Sequence, residues 1–220
     1  MLLVVTGMQR EARIVGRGGE VIVSGGDVAS LAEKIERAVA KGARAIVSAG
    51  ICGGLSPALR VGSAVIANAV FTNGVPALAD ARWAEGLASR LPHAMRGAIA
   101  GSDMIIAAAA DKAALHRLTG ALAADMESHV AARVATAHGL PFAALRVVSD
   151  AADQSLPPAV AHALGPDGRP RIGAVLASVA ARPVQIPALI RTARDSERAL
   201  AELLRCLDRL GVAFACPYLG

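Results

Sequence analysis

Short, continuous apolar runs that each stop at a glycine or a polar turn constrain this chain more than any other feature. Residues 2–5, Leu-Val-rich, run into Thr6-Gly7, and residues 20–23 end in Ser24-Gly25-Gly26-Asp27. Residues 45–50 stop in Gly50-Ile51-Cys52-Gly53-Gly54-Leu55, and residues 142–148 end in Ser149-Asp150. Runs of this length without polar alternation are strands covered on both faces, as in sheets sandwiched by helices. Between them lie stretches of helical period, such as 28–41 with Leu31, Ile35, Ala38 and Val39,. The spacing therefore predicts an α/β fold of helices layered on a sheet, and a length of 220 residues fits a single domain over 1–220,.

Further elements follow from the same signals. A strand is expected over 61–68, after a glycine turn at 50–55. Another is expected over 97–100, running into Gly101-Ser102-Asp103, and a brief one over 122–125. Helices are expected over 83–91, 111–119 and 128–138, the last closed by Gly139 and Pro141. A loop covers 165–170 and a helix 172–181 stops before Pro183. A long amphipathic helix over 188–210 carries Leu189, Ala193, Leu200, Leu204 and Leu207 on one face,. In such sheets ligands gather beyond the carboxyl ends of the strands.

Composition excludes several classes. The chain has 220 residues and a net charge of +5, but aromatics make up only 2% and Lys and Arg are scattered, so no basic groove with stacking rings is offered to nucleic acid,. Three cysteines, Cys52, Cys206 and Cys216, follow neither disulfide nor zinc spacing, which points to a reducing, cytoplasmic setting,. Cys52 reads as a small residue that fits its turn, with a reactive thiol as the minor reading. The start shows no charged leader, and apolar stretches stop short of roughly 18 residues, the length of a membrane span. His116, His129, His138 and His162 show no ligand spacing and read as surface residues, so no metal is expected,.

Strand ends supply the candidate chemistry: Glu11, Ser24-Gly25-Gly26, Asp125-Met126-Glu127 and Ser149-Asp150. Each has a plain alternative. Glu127 also fits a favourable charge at a helix start, Asp150 an N-cap, and Ser24-Gly25-Gly26 a tight turn, although a glycine turn opening a helix presents bare N–H groups to an anion.

Taken in order, the segments Ser24-Gly25-Gly26, Gly50-Ile51-Cys52-Gly53-Gly54-Leu55, Met126-Glu127 and Ser149-Asp150 resemble the purine nucleoside phosphorylase and methylthioadenosine/adenosylhomocysteine nucleosidase superfamily. Arg10-Glu11-Ala12-Arg13, the stretch from Asp125 to Arg133 and the stretch from Gly139 to Val147 resemble its hopanoid-associated phosphorylases. The resemblance implies a single-domain α/β fold with a mixed central sheet flanked by helices, and cleavage of the bond between adenine and a ribose joined through its 5′ carbon to a hopane skeleton. By that likeness Asp150 is the general acid at purine N7, beside Ser149. Glu127 binds the ribose hydroxyls and favours positive charge on the ring, and Met126 lies against the sugar. Ser24, Gly25 and Gly26 hold phosphate or water, and Ile105 and Ile106 line the base pocket. Glu11 matches a nucleosidase glutamate that orients water, while Arg10 or Arg146 meets phosphate as co-substrate. No organic cofactor and a homo-oligomer complete the expectation, with hydrolysis of methylthioadenosine or adenosylhomocysteine as the alternative activity; the apolar, basic composition fits a peripheral membrane contact but better fits an interface between copies of the chain,.

Overall fold

A computed structural model describes every residue except 17–18, 73–74, 163–164, 166, 170 and 220, with the side chains of 161–162 also left out. Among the described residues eight strands form one mixed sheet. β1 (Leu2–Thr6) lies between β2 (Glu20–Val23) and β3 (Ala45–Gly54), parallel to both. β3 continues in parallel to β8 (Phe142–Asp150), which runs antiparallel to β4 (Ala64–Thr72) on its other side. β4 also pairs with the edge strand β5 (Val75–Leu78) and with β6 (Met95–Gly101), and β6 pairs with β7 (Ala123–Asp125), which returns to β3. Strands β3, β8, β4, β6 and β7 thus close into a ring, which leaves β8 buried along its whole length.

Alternating residues sort the core onto two faces, as the two-residue period of a strand requires. Leu3, Val5, Ile46, Ala144 and Val148 meet α2 (Val28–Ala40) and α5 (Ser128–Ala137) through Leu31, Ile35, Val130 and Val134. Leu2, Val4, Val47, Leu145 and Val147 meet α3 (Ala81–Arg90) and α7 (Ile186–Leu210) through Trp83, Leu87, Leu203 and Leu207. Trp83 Nε1 donates to the Phe214 carbonyl at 2.7 Å and so ties the tail after α7 to this face.

The expected α/β architecture is observed, with several local differences. Residues 50–55 are not a turn: β3 runs on through Gly54. The strand expected over 61–68 lies at Ala64–Thr72, because residues 60–63 form a turn closed by Ser63 N on the Arg60 carbonyl. α1 (Gln9–Val15) carries Glu11, and its seven residues are too few to show a helical period,. α4 (Ala109–Thr119) ends where Gly120 takes φ 67, a left-handed C-cap,. α6 (Ile172–Ala181) has the expected bounds, but it buries none of its residues. Of the expected face of α7, Leu200 and Leu207 are buried, together with Asp195, Ala199, Leu203, Cys206 and Leu210, whereas Leu189 and Leu204 are half-buried and Ala193 is exposed. Of the loop expected over 165–170, residues 166 and 170 lie outside the described residues.

Candidate active site

Charged side chains are buried together at the carboxyl ends of β1, β3, β7 and β8. Glu11, Asp125, Glu127 and Asp150 are there with Arg146 and Lys112, all less than a tenth exposed. Burying so many charges is tolerable only if each is paired and hydrogen-bonded.

Glu11 is placed by the first turn of α1, which folds it back under β1. Its Oε2 accepts from Thr6 Oγ1 at 2.8 Å, Gly7 N at 2.9 Å and Met8 N at 2.7 Å, while Oε1 accepts from Ile51 N at 2.7 Å. Four donors thus converge on the two oxygens and fix the side chain in place. Asp125, at the end of β7, is the N-terminal anchor of α5: its Oδ1 accepts from Ser128 N at 3.1 Å, and Oδ2 takes the Ser128 hydroxyl. Arg146 projects from the middle of β8 into this cluster. It pairs with Asp125, reaches Glu127 Oε2 at 3.4 Å and donates to Ser48 Oγ at 2.5 Å, while its Nη1 has no hydrogen-bond partner.

Glu127 precedes α5 and accepts from Ser24 Oγ at 2.8 Å. Its proton affinity is pushed up to about 7. Burial is the largest cause, Asp125 and Glu11 add to it, and Arg146 and the Ser24 hydrogen bond oppose it,. The glycines beside these acids leave room for them. A Cβ on Gly50 would stand 2.5 Å from Glu11 Oε1 and 2.7 Å from Arg146 Nη1, and one on Gly7 would stand 2.9 Å from Glu127 Oε1.

Asp150 closes β8 after a register slip: one step in β3, from Cys52 to Gly53, matches the step from Val148 to Asp150 in β8. The extra residue is Ser149, and bulges of this kind re-aim side chains beside active sites. Ser149 Oγ lies 3.1 Å from the Cys52 carbonyl and 2.8 Å from Asp150 Oδ1. Asp150 Oδ2 is paired with Lys112 of α4. Cys52 lies between the two halves of the cluster. Its buried thiol is pushed well up by desolvation and feels Arg146, Asp125, Asp150 and Glu11 together, which makes it an inert packing residue,.

The expected residues thus divide. Glu11, Ser24, Glu127, Arg146, Ser149 and Asp150 are brought together, and Met126 is half-buried beside Glu127. Arg10 is not part of the group: it lies on the outer face of α1, half-exposed and paired with Glu197 of α7. Ser24-Gly25-Gly26 does not present bare donors. The Ser24 hydroxyl is engaged by Glu127, Gly25 N by the Gly7 carbonyl at 3.0 Å, and Gly26 N by Ser24 Oγ at 3.3 Å. Ile106 packs with Leu55, Ala100 and Ala124 next to β7, whereas Ile105 is exposed. Asp125, a strand-end candidate with Met126 and Glu127, is in the cluster as the partner of Arg146. Lys112, Ser48 and Ser128 were not anticipated, and nothing in the sequence around Lys112 marks a buried lysine. His129 Nε2 meets Asp103 at 2.9 Å and His138 Nε2 meets Glu36 at 2.6 Å. Among the described residues no group of three His, Cys, Asp or Glu could hold a metal.

Two surface depressions lie elsewhere. One, of about 580 Å³, is lined by Arg44, Asp80, Pro141 and Tyr218 near the start of β8, and a smaller one separates α1 from α7. Neither holds a cluster of buried ionisable groups like the one at the strand ends.

A family model described as the phosphorylase superfamily matches residues 4–181. Among solved structures, the chain is similar to 5′-methylthioadenosine/S-adenosylhomocysteine nucleosidase of Helicobacter pylori, with 17% identity, 94% of this chain and 95% of that one covered, and a TM-score of 0.68. It is also similar to futalosine hydrolase of the same organism, with 16% identity, coverage of 95% and 96%, and a TM-score of 0.68. S-adenosylhomocysteine nucleosidase of Streptococcus pyogenes gives 17% identity, coverage of 96% and 97%, and a TM-score of 0.60. At these identities the likeness is one of fold. No curated protein sequence matches.

Proposed function

The chain belongs to the phosphorylase superfamily, and from that membership we propose that it breaks the N-glycosidic bond of an adenine nucleoside and releases adenine. The observation that carries this reading is the convergence of Glu11, Arg146 and Asp150 around Cys52 and the glycines of β3, with Glu127 joined to them through Arg146. Breaking such a bond leaves positive charge on the sugar and negative charge on the base. Carboxylates beside the ribose favour the first, and a proton at N7 relieves the second. Glu127 is the ribose-side carboxylate and Asp150 the base-side acid. Two neighbours support the reading by their names, one a nucleosidase for methylthioadenosine and adenosylhomocysteine and the other a futalosine hydrolase.

For the attacking group we favour phosphate, which follows the sequence resemblance and the unengaged Nη1 of Arg146. Water is the second reading, favoured by a specific feature: Glu11, Asp125, Glu127 and Asp150 outnumber Arg146 and Lys112, and a surplus of carboxylates repels a phosphate dianion,. For the substituent on ribose C5′ we favour a hopane-type lipid taken from a membrane surface. Ile172 and Leu176 of α6 and Val184 beyond it are 68%, 62% and 88% exposed. Residues 168–194 hold five arginines and no acid. An apolar face flanked by arginines suits an anionic lipid surface. The turn before α6 abuts the site, with Gln9 N donating to the Gly168 carbonyl at 3.1 Å. Among the described residues no single helix is long and apolar enough to cross a membrane. Assembly as a homo-oligomer completes the proposal.

The test is to incubate the purified protein with adenosylhopane, methylthioadenosine and adenosylhomocysteine, each with and without phosphate, following adenine and the mass of the sugar product. A sugar 1-phosphate is expected. Adenine release at the same rate without phosphate would assign water as the nucleophile, and no adenine from any of the three would overturn the reading. Sedimentation with anionic but not zwitterionic vesicles, lost in an Arg171→Glu, Arg182→Glu variant, is the expected result for the lipid surface. Equal sedimentation of wild type and variant removes it.

A further inference from the structure

Lys112 is buried completely, and its Nζ is held by three acceptors: Asp150 Oδ2, the Ala151 carbonyl at 3.0 Å and the Gln154 carbonyl at 2.8 Å. An ammonium has three N–H donors, so the site matches the protonated amine bond for bond. A lone carboxylate has no proton to give at neutral pH, yet the proposed reaction needs one at the base. The other oxygen of Asp150 is hydrogen-bonded to Ser149, which leaves Lys112 as the proton-bearing cation in contact with that acid.

We propose that Lys112 and Asp150 act as one proton-donating unit, with Lys112 holding the proton that Asp150 delivers to the leaving purine. The proposal rests on the reading of Asp150 as the base-side acid. As the bond from C1′ to N9 breaks, its electron pair passes to the purine. Asp150 hands a proton to N7 and takes one from Lys112, so the pair ends as a carboxylate beside a neutral amine. Solvent restores the proton after adenine leaves. The ionisable groups around the pair are Cys52 on β3, Glu11 on α1, Arg146 on β8, Asp125 on β7, Glu127 before α5 and the exposed Asp111 and Asp153 on the flanking segments.

The test compares Lys112→Met and Lys112→Arg with wild type on two substrates, an adenine nucleoside and 4-nitrophenyl riboside, whose leaving group departs without a proton. Arginine keeps the charge but does not release a proton. Both variants are expected to lose on the order of 100-fold in kcat on the adenine nucleoside, with KM and the nitrophenyl reaction within about threefold of wild type. Equal losses on both substrates, or rescue by Lys112→Arg, would assign Lys112 a packing role and overturn the proposal. If one variant does not fold, the other decides by the substrate comparison. A wild type that releases no adenine would instead count against the activity itself.

Discussion

Glu127 is placed where its two tasks conflict. Binding ribose hydroxyls and favouring a cationic sugar require a carboxylate, but burial raises its proton affinity from 4.5 to about 7,. Activity should therefore rise with pH through about 7 as Glu127 ionises. Stability should move the other way. The folded state holds a proton that the unfolded chain has released, so this contribution is full below pH 4.5 and is lost as pH climbs to about 7, by on the order of 3 kcal/mol,. In Glu127→Gln the acidic limb of kcat/KM should vanish together with about 100-fold in rate, and the melting temperature should lose its slope over that range. A slope unchanged in the variant would show that Glu127 is not its source. Arg146 gives the complementary case. Arg146→Met strands Asp125 and Glu127 without their cation, and urea unfolding should report a loss of about 3–5 kcal/mol,.

At the level of elements, the glycines of β3 explain both a misreading and the site. A run of glycines between apolar residues reads as a turn, but Gly50 is needed because Glu11 and Arg146 occupy the space a side chain would take,. Gly50→Ala should consequently displace these two groups. A drop of at least about tenfold in kcat is expected, with a smaller change in KM, since a small misplacement costs more in the transition state than in binding. Wild-type kcat in this variant would remove Glu11 and Arg146 from the reaction. Sequence made the four strand-end segments legible because strands that end in Ser-Gly, Met-Glu and Ser-Asp carry their polar groups at one edge of the sheet. It could not give Lys112, since a lysine on a helix ordinarily keeps its charge in water. Nor could it show that Ser24 turns its hydroxyl to Glu127, 103 positions away, because that contact exists only after β2 and α5 meet.

Across the whole molecule, β8 joins the parts that the chemistry needs. It carries Arg146 and Asp150, bridges β3 and β4 to close the ring, and is covered on one face by α5 and on the other by α7. The long helix lies beyond the residues matched by the family model, yet it backs the strand that bears the acid. Its stripe was legible as an amphipathic pattern. Its phase was legible only in part: Leu200 and Leu207 are buried as read, but the sheet packs against Ala199 and Leu203 as well and leaves Leu204 half-buried,. Leu203 is wholly buried in that contact. Leu203→Ala should destabilise the fold by about 2–5 kcal/mol in urea, because the cavity it leaves is bounded by a closed ring that cannot collapse freely. Lost backing should also loosen β8 and with it Asp150. The expected outcome is therefore a fall in kcat on the adenine nucleoside that exceeds the fall on 4-nitrophenyl riboside, and equal falls would confine the role of α7 to stability.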